Sequence, residues 1–240
     1  MSRLPATVPG ERVYAIGDVH GCFDLLEPLV ARIRADDAAR MPCRTTIVLI
    51  GDIVDRGPRS ADVVRLLMPL APRTDRLVVL KGNHEDMMVH ALRGDLVVLQ
   101  TWIRLGGDAT LRSWGVPTDA LDLPPRDLLK TARSKIGGKT LAWLDALPLS
   151  YRSGDFFFVH AGIRPGVSLA KQDPDDLIWI RDEFLANDET HPAVIVHGHT
   201  IAADGPELRH NRIGLDTGAY RTGKLSAVGL EGEDRWTLTT

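Results

Sequence analysis

The chain has 240 residues, 44% of them hydrophobic and 25% charged, with a formal net charge of −3. The length suits one domain over residues 1–240, and the charge gives no reason to expect binding of nucleic acid or anionic membranes through a basic surface. No apolar stretch is long enough to span a bilayer, and the amino terminus lacks the apolar region of a secretory signal. Two cysteines cannot form a disulfide framework, so we expect a cytoplasmic protein.

Strands and helices alternate over the first third of the chain. Apolar runs at 13–16, 46–50 and 77–80 predict three buried strands. Apolar residues at helical spacing predict a helix after each of the first two strands, the second one capped by Ser60 and ended by prolines. This alternation predicts parallel strands joined by right-handed crossovers.

The pattern changes at about residues 86–150, where short helical segments are separated by glycine pairs and a Pro-Pro step. We interpret this region as a helical insertion beside the functional site and as a source of substrate selectivity. Trp102, Trp114 and Trp143 are expected to pack its small core rather than to stack on a base or hold a peptide.

Strand patterns return after the insertion. The last two flank an acidic turn at 231–234 and predict an antiparallel pair. A second sheet packed on the first, with helices outside both, is the economical arrangement. The predicted strands are residues 156–160, 193–197, 212–215, 225–228 and 236–238.

Three predicted strands in the first third end in glycine-rich turns that carry metal-binding side chains. The turns read GDVHG at 17–21, GDIVDRG at 51–57 and GNHE at 82–85. Open α/β sheets place their chemistry at the carboxyl ends of parallel strands. We therefore expect the side chains of these three turns to meet at one edge of the sheet.

The three turns and two later segments, VHAG at 159–162 and HGHT at 197–200, supply six candidate metal ligands. An aspartate in a turn or a histidine after a strand has a plain structural explanation when it stands alone. Six such residues at strand ends favour a two-metal hydrolytic centre instead. The candidate ligands are Asp18, His20, Asp52, Asn83, His160 and His199.

The chemistry of these ligands suits two neighbouring cations. Asp18 and His20 are two residues apart and can chelate one ion together. The carboxylate of Asp52 can bridge two cations about 3.5–4 Å apart, which lower the pKa of a shared water. Mixed nitrogen and oxygen ligands suit manganese, iron, zinc or cobalt better than calcium.

Four further residues are candidates for substrate chemistry. The planar guanidinium of Arg56 matches a phosphate group; Arg181 is a second candidate, although its acidic neighbours also suit a surface ion pair. His84 follows the candidate ligand Asn83, so we expect its side chain to point away from that ion and to act as a general acid. Asp55 would orient His84, or would instead only form the turn.

As a set, these motifs resemble the phosphoprotein phosphatase family of metallophosphoesterases, most closely its compact bacterial and phage branch, over nearly the whole chain. The resemblance implies the calcineurin-like fold, a four-layer α/β/β/α sandwich, with a dinuclear centre of manganese, or of iron or zinc. It places Asp52 between the two ions. It assigns Asp18 and His20 to one ion, and Asn83, His160 and His199 to the other.

The resemblance also supplies roles for the remaining motif residues. It assigns phosphate binding to Arg56 and Arg181, and protonation of the leaving oxygen to His84 with Asp55. The late motif DTGA at 216–219 resembles the family's own, so its Asp216 is expected to support the ligands rather than bind an ion. His197 is expected to lie beside the ligands or in the core.

Three functions follow from this reading. The first is a serine/threonine protein phosphatase acting on phosphoproteins or phosphopeptides, with phosphotyrosine as a further substrate. The alternative is a symmetrical bis(5'-nucleosyl)-tetraphosphatase, a family that shares the early motifs but typically has an aromatic residue where Thr200 stands. A non-catalytic, metal-stabilised interaction module is disfavoured, because every chemical group of the site is intact.

Overall fold

Two five-stranded sheets lie face to face in the computed structural model, which describes residues 3–202 and 204–240. Helices cover the outer face of each sheet, which gives the predicted order α/β/β/α. In the first sheet, β1, β2 and β3 are parallel, and β9 pairs antiparallel with both β1 and β10. Its strands, in the spatial order β10-β9-β1-β2-β3, are β1 (Glu11–Ile16), β2 (Arg44–Leu49), β3 (Leu77–Val79), β9 (Ser226–Glu231) and β10 (Asp234–Thr239).

The second sheet has the spatial order β4-β5-β6-β8-β7, and β5, β6 and β8 are parallel. The edge strands β4 and β7 were not predicted, because they are short and polar and lack an alternating apolar pattern. The strands are β4 (Ser150–Ser153), β5 (Phe156–Val159), β6 (Val194–His197), β7 (Glu207–Leu208) and β8 (Arg212–Gly214).

Successive side chains of each strand point to opposite faces of its sheet, and this divides the core into three layers. In β1, Tyr14 and Ile16 pack toward the helices, whereas Val13 and Ala15 pack toward the second sheet. From the other side, Phe158 fills the space between the sheets with its ring fully buried. Because strands from both halves of the chain contribute to this middle layer, it sets how the two sheets register against each other.

Ten helices are assigned in the described part of the chain. Those from α3 to α7 form the predicted helical region, and a π-helical turn at Ile103–Gly107 joins α4 to α5. The helices are α1 (Phe23–Ala38), α2 (Ser60–Leu70), α3 (Asn83–Arg93), α4 (Leu96–Trp102), α5 (Asp108–Ser113), α6 (Pro125–Ile136), α7 (Gly138–Asp145), α8 (Pro174–Trp179), α9 (Asp182–Leu185) and α10 (Ala219–Thr222).

Two predicted details of α2, its cap and its end at the first proline, are wrong. Arg59 is the residue that precedes the helix, and Ser60 is its first residue instead of its cap. The hydroxyl of Ser60 accepts the backbone N–H of Asp55 at 3.0 Å. The helix also continues through Pro69 to Leu70, so the first proline does not end it.

Over the residues that the structure describes, no helix combines the length and apolar character that a bilayer span requires.

We expect Phe158→Ala to lower the free energy of unfolding by about 3–5 kcal/mol, because it opens a cavity between the sheets. Leu70→Ala is the matched control: its side chain is 42% exposed, and surface substitutions usually change stability by about 0.5 kcal/mol or less. Urea denaturation of the three proteins measures both effects. Equal stability of the two variants would contradict the assigned position of Phe158.

Candidate metal centre

The glycine-rich turns meet at the carboxyl ends of the parallel strands of both sheets. Five non-glycine residues in the described part of the chain have positive φ, between 44° and 73°, and all five belong to these turns. Such conformations cost about 1–3 kcal/mol each and persist only where their surroundings fix them. The five residues are His20, Asp52, Asp55, Arg56 and His199.

Backbone hydrogen bonds join the first two turns. The N–H of His20 donates to the carbonyl of Asp52 at 2.8 Å, and the carbonyl of His20 accepts the N–H of Gly57 at 2.9 Å. The buried carboxylate of Glu85, for which the sequence suggested no role, joins the second turn to the third. It accepts four backbone N–H groups at 2.8–3.2 Å, from Gly82, Asp52, Ile53 and Val54.

Two motif glycines are required by the close approach of carboxylates. A Cβ atom at Gly82 would overlap the side chain of Asp52, and one at Gly198 would overlap the side chain of Asp18. Neither carboxylate could keep its position beside a larger residue. Gly82 thus lets neighbouring strand ends of the first sheet approach each other, and Gly198 does the same for strand ends of the two different sheets.

Asp52 is common to two groups of side chains that could hold a metal ion. His20, Asp52 and His84 form the first group, and Asp52, His160 and His199 form the second, with ligand atoms within 4.8 Å of one another in each group. Oδ2 of Asp52 lies 3.5 Å from Nε2 of His20, and Oδ1 lies 3.4 Å from Nε2 of His160. Each oxygen of the carboxylate therefore faces a different histidine.

The histidines present lone pairs to this centre. Nδ1 of His20 is 2.9 Å from the carbonyl of Val54, and Nδ1 of His160 is 3.0 Å from the carbonyl of Ile50, so Nδ1 carries the proton in each ring and Nε2 is the acceptor. Burial lowers the pKa of His20 and of His199 to about 3 and also lowers the pKa of His160. Neutral imidazoles are the form that binds metal ions.

Asn83 and Asp18 complete the set of predicted ligands. Oδ1 of Asn83 lies 2.9 Å from Nε2 of His160, on the side of the second group. Asp18 is outside both three-residue groups, and its carboxylate accepts the backbone N–H of His199 at 3.0 Å. Burial, together with repulsion from Asp216 and Asp52, raises the pKa of Asp18. Divalent cations would relieve this repulsion, so the donors fit the predicted metals.

Two arginines contact candidate ligand histidines, each a different one. Nη1 of Arg56 lies 2.8 Å from Nε2 of His20, and Nε of Arg181 donates to Nε2 of His199 at 2.9 Å. The surface ion pair considered for Arg181 is absent from the described residues. Both guanidinium groups therefore lie at the centre, one on each side of Asp52.

His84 differs from the other histidines of the site. Burial lowers its pKa, but the charge of Asp52 and a 2.7 Å hydrogen bond with Asp55 outweigh burial, so the pKa is raised. The guanidinium of Arg56, whose Nη2 lies 3.0 Å from Nε2 of His84, opposes this effect by lowering the pKa. His84 is therefore the imidazole of the site that is best suited to hold a proton at neutral pH.

The sequence analysis did not identify the partners of Asp55 in the helical insertion. Trp102, expected to be a core residue, is fully buried and also donates its indole N–H to Oδ2 of Asp55 at 2.7 Å. The hydroxyl of Thr110 donates to Oδ1 at 2.6 Å. No local pattern could reveal these contacts, because they join segments about 50 residues apart.

Two exposed aromatic side chains border the centre, and neither was predicted. The ring of Tyr220 packs edge-on against His20 with centroids 5.3 Å apart, and the guanidinium of Arg56 lies 4.7 Å from its centroid. The ring of Trp179 is edge-on to His199 at 6.2 Å. Trp179 is 42% exposed and Tyr220 is 38% exposed.

His197 and Asp216 are buried next to the candidate ligands. His197 is buried against Phe184 with ring centroids 5.0 Å apart, and it belongs to neither ligand group. Asp216 accepts the backbone N–H of Gly218 at 2.8 Å. Burial raises the pKa of Asp216 to about 6.

The family model of calcineurin-like phosphoesterases matches residues 11–222 of this chain. A symmetrical bis(5'-nucleosyl)-tetraphosphatase of Aromatoleum aromaticum is 32% identical over 154 residues, which are 64% of this chain and 45% of the relative. A second, from Neisseria gonorrhoeae, is 34% identical over 158 residues, which are 66% and 46% of the two chains. The aligned region is therefore less than half the length of these relatives.

Solved structures show the same fold. A candidate diadenosine tetraphosphatase superposes with a TM-score of 0.64 at 23% identity, covering 99% of this chain and 98% of the other. A protein serine/threonine phosphatase of Saccharomyces cerevisiae superposes with a TM-score of 0.57 at 14% identity, covering 98% and 84%. At these identities the likeness concerns the fold alone.

We expect the wild-type protein to bind about two Mn²⁺ ions per chain. Asp52→Asn should abolish binding of at least one ion, because the amide has one oxygen acceptor and no charge. Titration followed by the electron paramagnetic resonance signal of free Mn²⁺ measures both. Asp119→Asn, which alters an exposed carboxylate, should bind like the wild type. Unchanged stoichiometry and affinity in Asp52→Asn would refute the assignment.

Proposed function

The chain belongs to the calcineurin-like phosphoesterase family, and from this premise we propose that it is a metal-dependent hydrolase of dinucleoside polyphosphates. The relatives that are 30–34% identical are named symmetrical bis(5'-nucleosyl)-tetraphosphatases, which supports this substrate class. They support it for the aligned region, which covers 64–66% of this chain. The choice of substrate also rests on side chains that belong to neither ligand group.

The proposed ligands divide around Asp52. Asp18 and His20 would hold one ion with it, and Asn83, His160 and His199 would hold the other. Two bound divalent ions supply an activated water and neutralise the charge of a phosphate group. We infer manganese from the mixed nitrogen and oxygen donors, with iron or zinc as the alternatives.

The remaining residues act on the substrate directly. Arg56 and Arg181 donate to phosphate oxygens from opposite sides of Asp52, where their guanidinium groups already lie. His84, whose pKa is raised while those of its neighbours are lowered, gives its proton to the leaving oxygen. Asp55 holds Nδ1 of His84 and thereby directs Nε2 toward the phosphate site.

One observation carries the choice of substrate. On each side of Asp52, an arginine and an exposed aromatic ring contact the same candidate ligand histidine. Trp179 and Tyr220 are thus placed beside different ligand groups of the centre. A polyphosphate chain would lie across the centre, and a base at each end would find an aromatic ring on which to stack.

Hydrolysis of phosphoserine or phosphothreonine in proteins is the second candidate. The residue that follows the last Gly-His pair favours it, because Thr200 stands where the symmetrical tetraphosphatases typically carry an aromatic side chain. The arginine and histidine contacts described above would serve a phosphate monoester equally well.

We expect kcat/KM for diadenosine tetraphosphate to exceed that for a phosphoserine peptide by at least about tenfold, with Mn²⁺ at neutral pH, a difference of about 1.4 kcal/mol. Chromatography of the nucleotide products and release of inorganic phosphate measure the two rates. The reverse order would favour the protein phosphatase. Activity on neither substrate, beside activity on p-nitrophenyl phosphate, would reject both. Asp52→Asn should be inactive on all three substrates.

We expect Trp179→Ala to raise KM for diadenosine tetraphosphate about tenfold, since stacking on an aromatic side chain contributes about 1–3 kcal/mol per base. Its KM for p-nitrophenyl phosphate should stay within about twofold of the wild type, because the phosphate contacts remain. Trp179→Phe keeps a stacking ring and should restore most of the affinity. Equal KM changes for the two substrates in Trp179→Ala would contradict a role in base recognition.

A further inference from the structure

The turn that carries Asp55 and Arg56 has a strained backbone. Both residues have positive φ, 73° and 66°, a conformation that costs non-glycine residues about 1–3 kcal/mol each. Pro58, which is exposed, and Arg59, which is partly exposed, follow at the surface. Contacts from elsewhere in the chain must therefore keep the turn in this shape.

Ser60 and the first turn supply some of these contacts, and the helical insertion supplies others from three consecutive elements. The indole of Trp102, at the end of α4, donates to Oδ2 of Asp55 at 2.7 Å. The carbonyl of Gly106, in the π-helical turn, accepts the N–H of Arg56 at 3.0 Å. Thr110, in α5, donates its hydroxyl to Oδ1 of Asp55 and lies 2.8 Å from the backbone nitrogen of the same residue.

These contacts determine the rotation of the Asp55 carboxylate. Oδ2 lies 2.7 Å from both Nε1 of Trp102 and Nδ1 of His84, and Oδ1 receives the hydroxyl of Thr110. Asp55, Trp102 and Thr110 are all 0% exposed, so water does not compete for these positions. With both oxygens occupied, the carboxylate cannot turn without breaking a buried hydrogen bond, which is costly in a site of low polarity.

We propose that Trp102 is a positioning residue, which acts through Asp55 to hold His84 in the geometry of a general acid. Thr110 holds the other oxygen of the same carboxylate. The helical insertion is then part of the active site and not only a border for the substrate. This inference rests on the proposed phosphoester hydrolysis but not on the dinucleotide as substrate.

The test compares two aryl phosphates that differ in how much they need a proton on the leaving oxygen. Trp102→Phe keeps the packing volume and removes the indole N–H. We expect it to lower kcat for phenyl phosphate about tenfold, which corresponds to about 1.4 kcal/mol, and kcat for p-nitrophenyl phosphate by less than about twofold, with KM unchanged for both.

Trp114→Phe is the matched control. It makes the same substitution in the same insertion, at a buried indole whose nitrogen has no hydrogen-bond partner among the described residues. It should behave like the wild type on both substrates. Thr110→Val should resemble Trp102→Phe, and Thr110→Ser, which keeps the hydroxyl, should restore the rate with phenyl phosphate.

A second readout needs neither substrate nor metal. In protein labelled with ¹³C and ¹⁵N, triple-resonance spectra of the wild type assign the indole N–H of Trp102. We expect this N–H to exchange slowly with solvent and its resonance to move upfield in Asp55→Asn, since the bond to a charged acceptor is lost. An unmoved, rapidly exchanging indole would overturn the inference even if Trp102→Phe did not fold.

The kinetic outcomes separate the inference from the function on which it rests. A wild-type protein that hydrolyses neither aryl phosphate would overturn the proposed function and the inference with it. An active wild type together with equal losses on both substrates in Trp102→Phe, or with no loss, would overturn the inference and leave the proposed function standing.

Discussion

The position of one buried carboxylate, that of Asp52, determines the rest of the site. Its two oxygens face His20 and His160, which come from different sheets, and its backbone has a positive φ of 46°. Glu85 fixes this conformation by accepting the N–H groups of Asp52 and its neighbours. Without Glu85, four buried N–H groups would lose their acceptor at once, a cost far above that of one hydrogen bond. A residue without a proposed chemical role thus determines the geometry of those that have one.

The middle layer of the core, between the two sheets, also determines the geometry of the site, although it lies farther from it. His160 and His199 follow strands of the second sheet, whereas Asp52 and Asn83 follow strands of the first. The distances between them depend on how the two sheets pack through residues such as Phe158. Because close-packed interiors transmit small displacements, a cavity in this layer would move one half of the ligand set relative to the other. Packing in this layer therefore also sets the distances between the candidate ligands.

The sequence predicted the parts of the structure that are encoded locally. Apolar runs followed by glycine-rich turns identified the central strands and brought the candidate ligands together, since each signal lies within about ten residues. It did not predict the edge strands β4 and β7 or the contact of Ser60 with Asp55. The bonds from Trp102 and Thr110 to Asp55 join residues that are 47 and 55 positions apart. Periodicity classified Trp102 correctly as buried, but no periodicity reports what the polar atom of a buried side chain contacts.

The difference between local motifs and contacts of distant residues also explains why the motifs predicted a phosphoesterase more firmly than they predicted its substrate. Hydrolysis at phosphorus needs charge neutralisation, a positioned water and a proton for the leaving oxygen, whether the substrate is a monoester or an anhydride. The motifs encode these shared requirements, and the protein phosphatase reading drew on them. Selectivity must come from side chains that touch the remainder of the substrate. Trp179 and Tyr220 lie where such contacts form, and 42% and 38% of their surfaces stay exposed. Their exposure is explained if each ring is covered only when a substrate is bound.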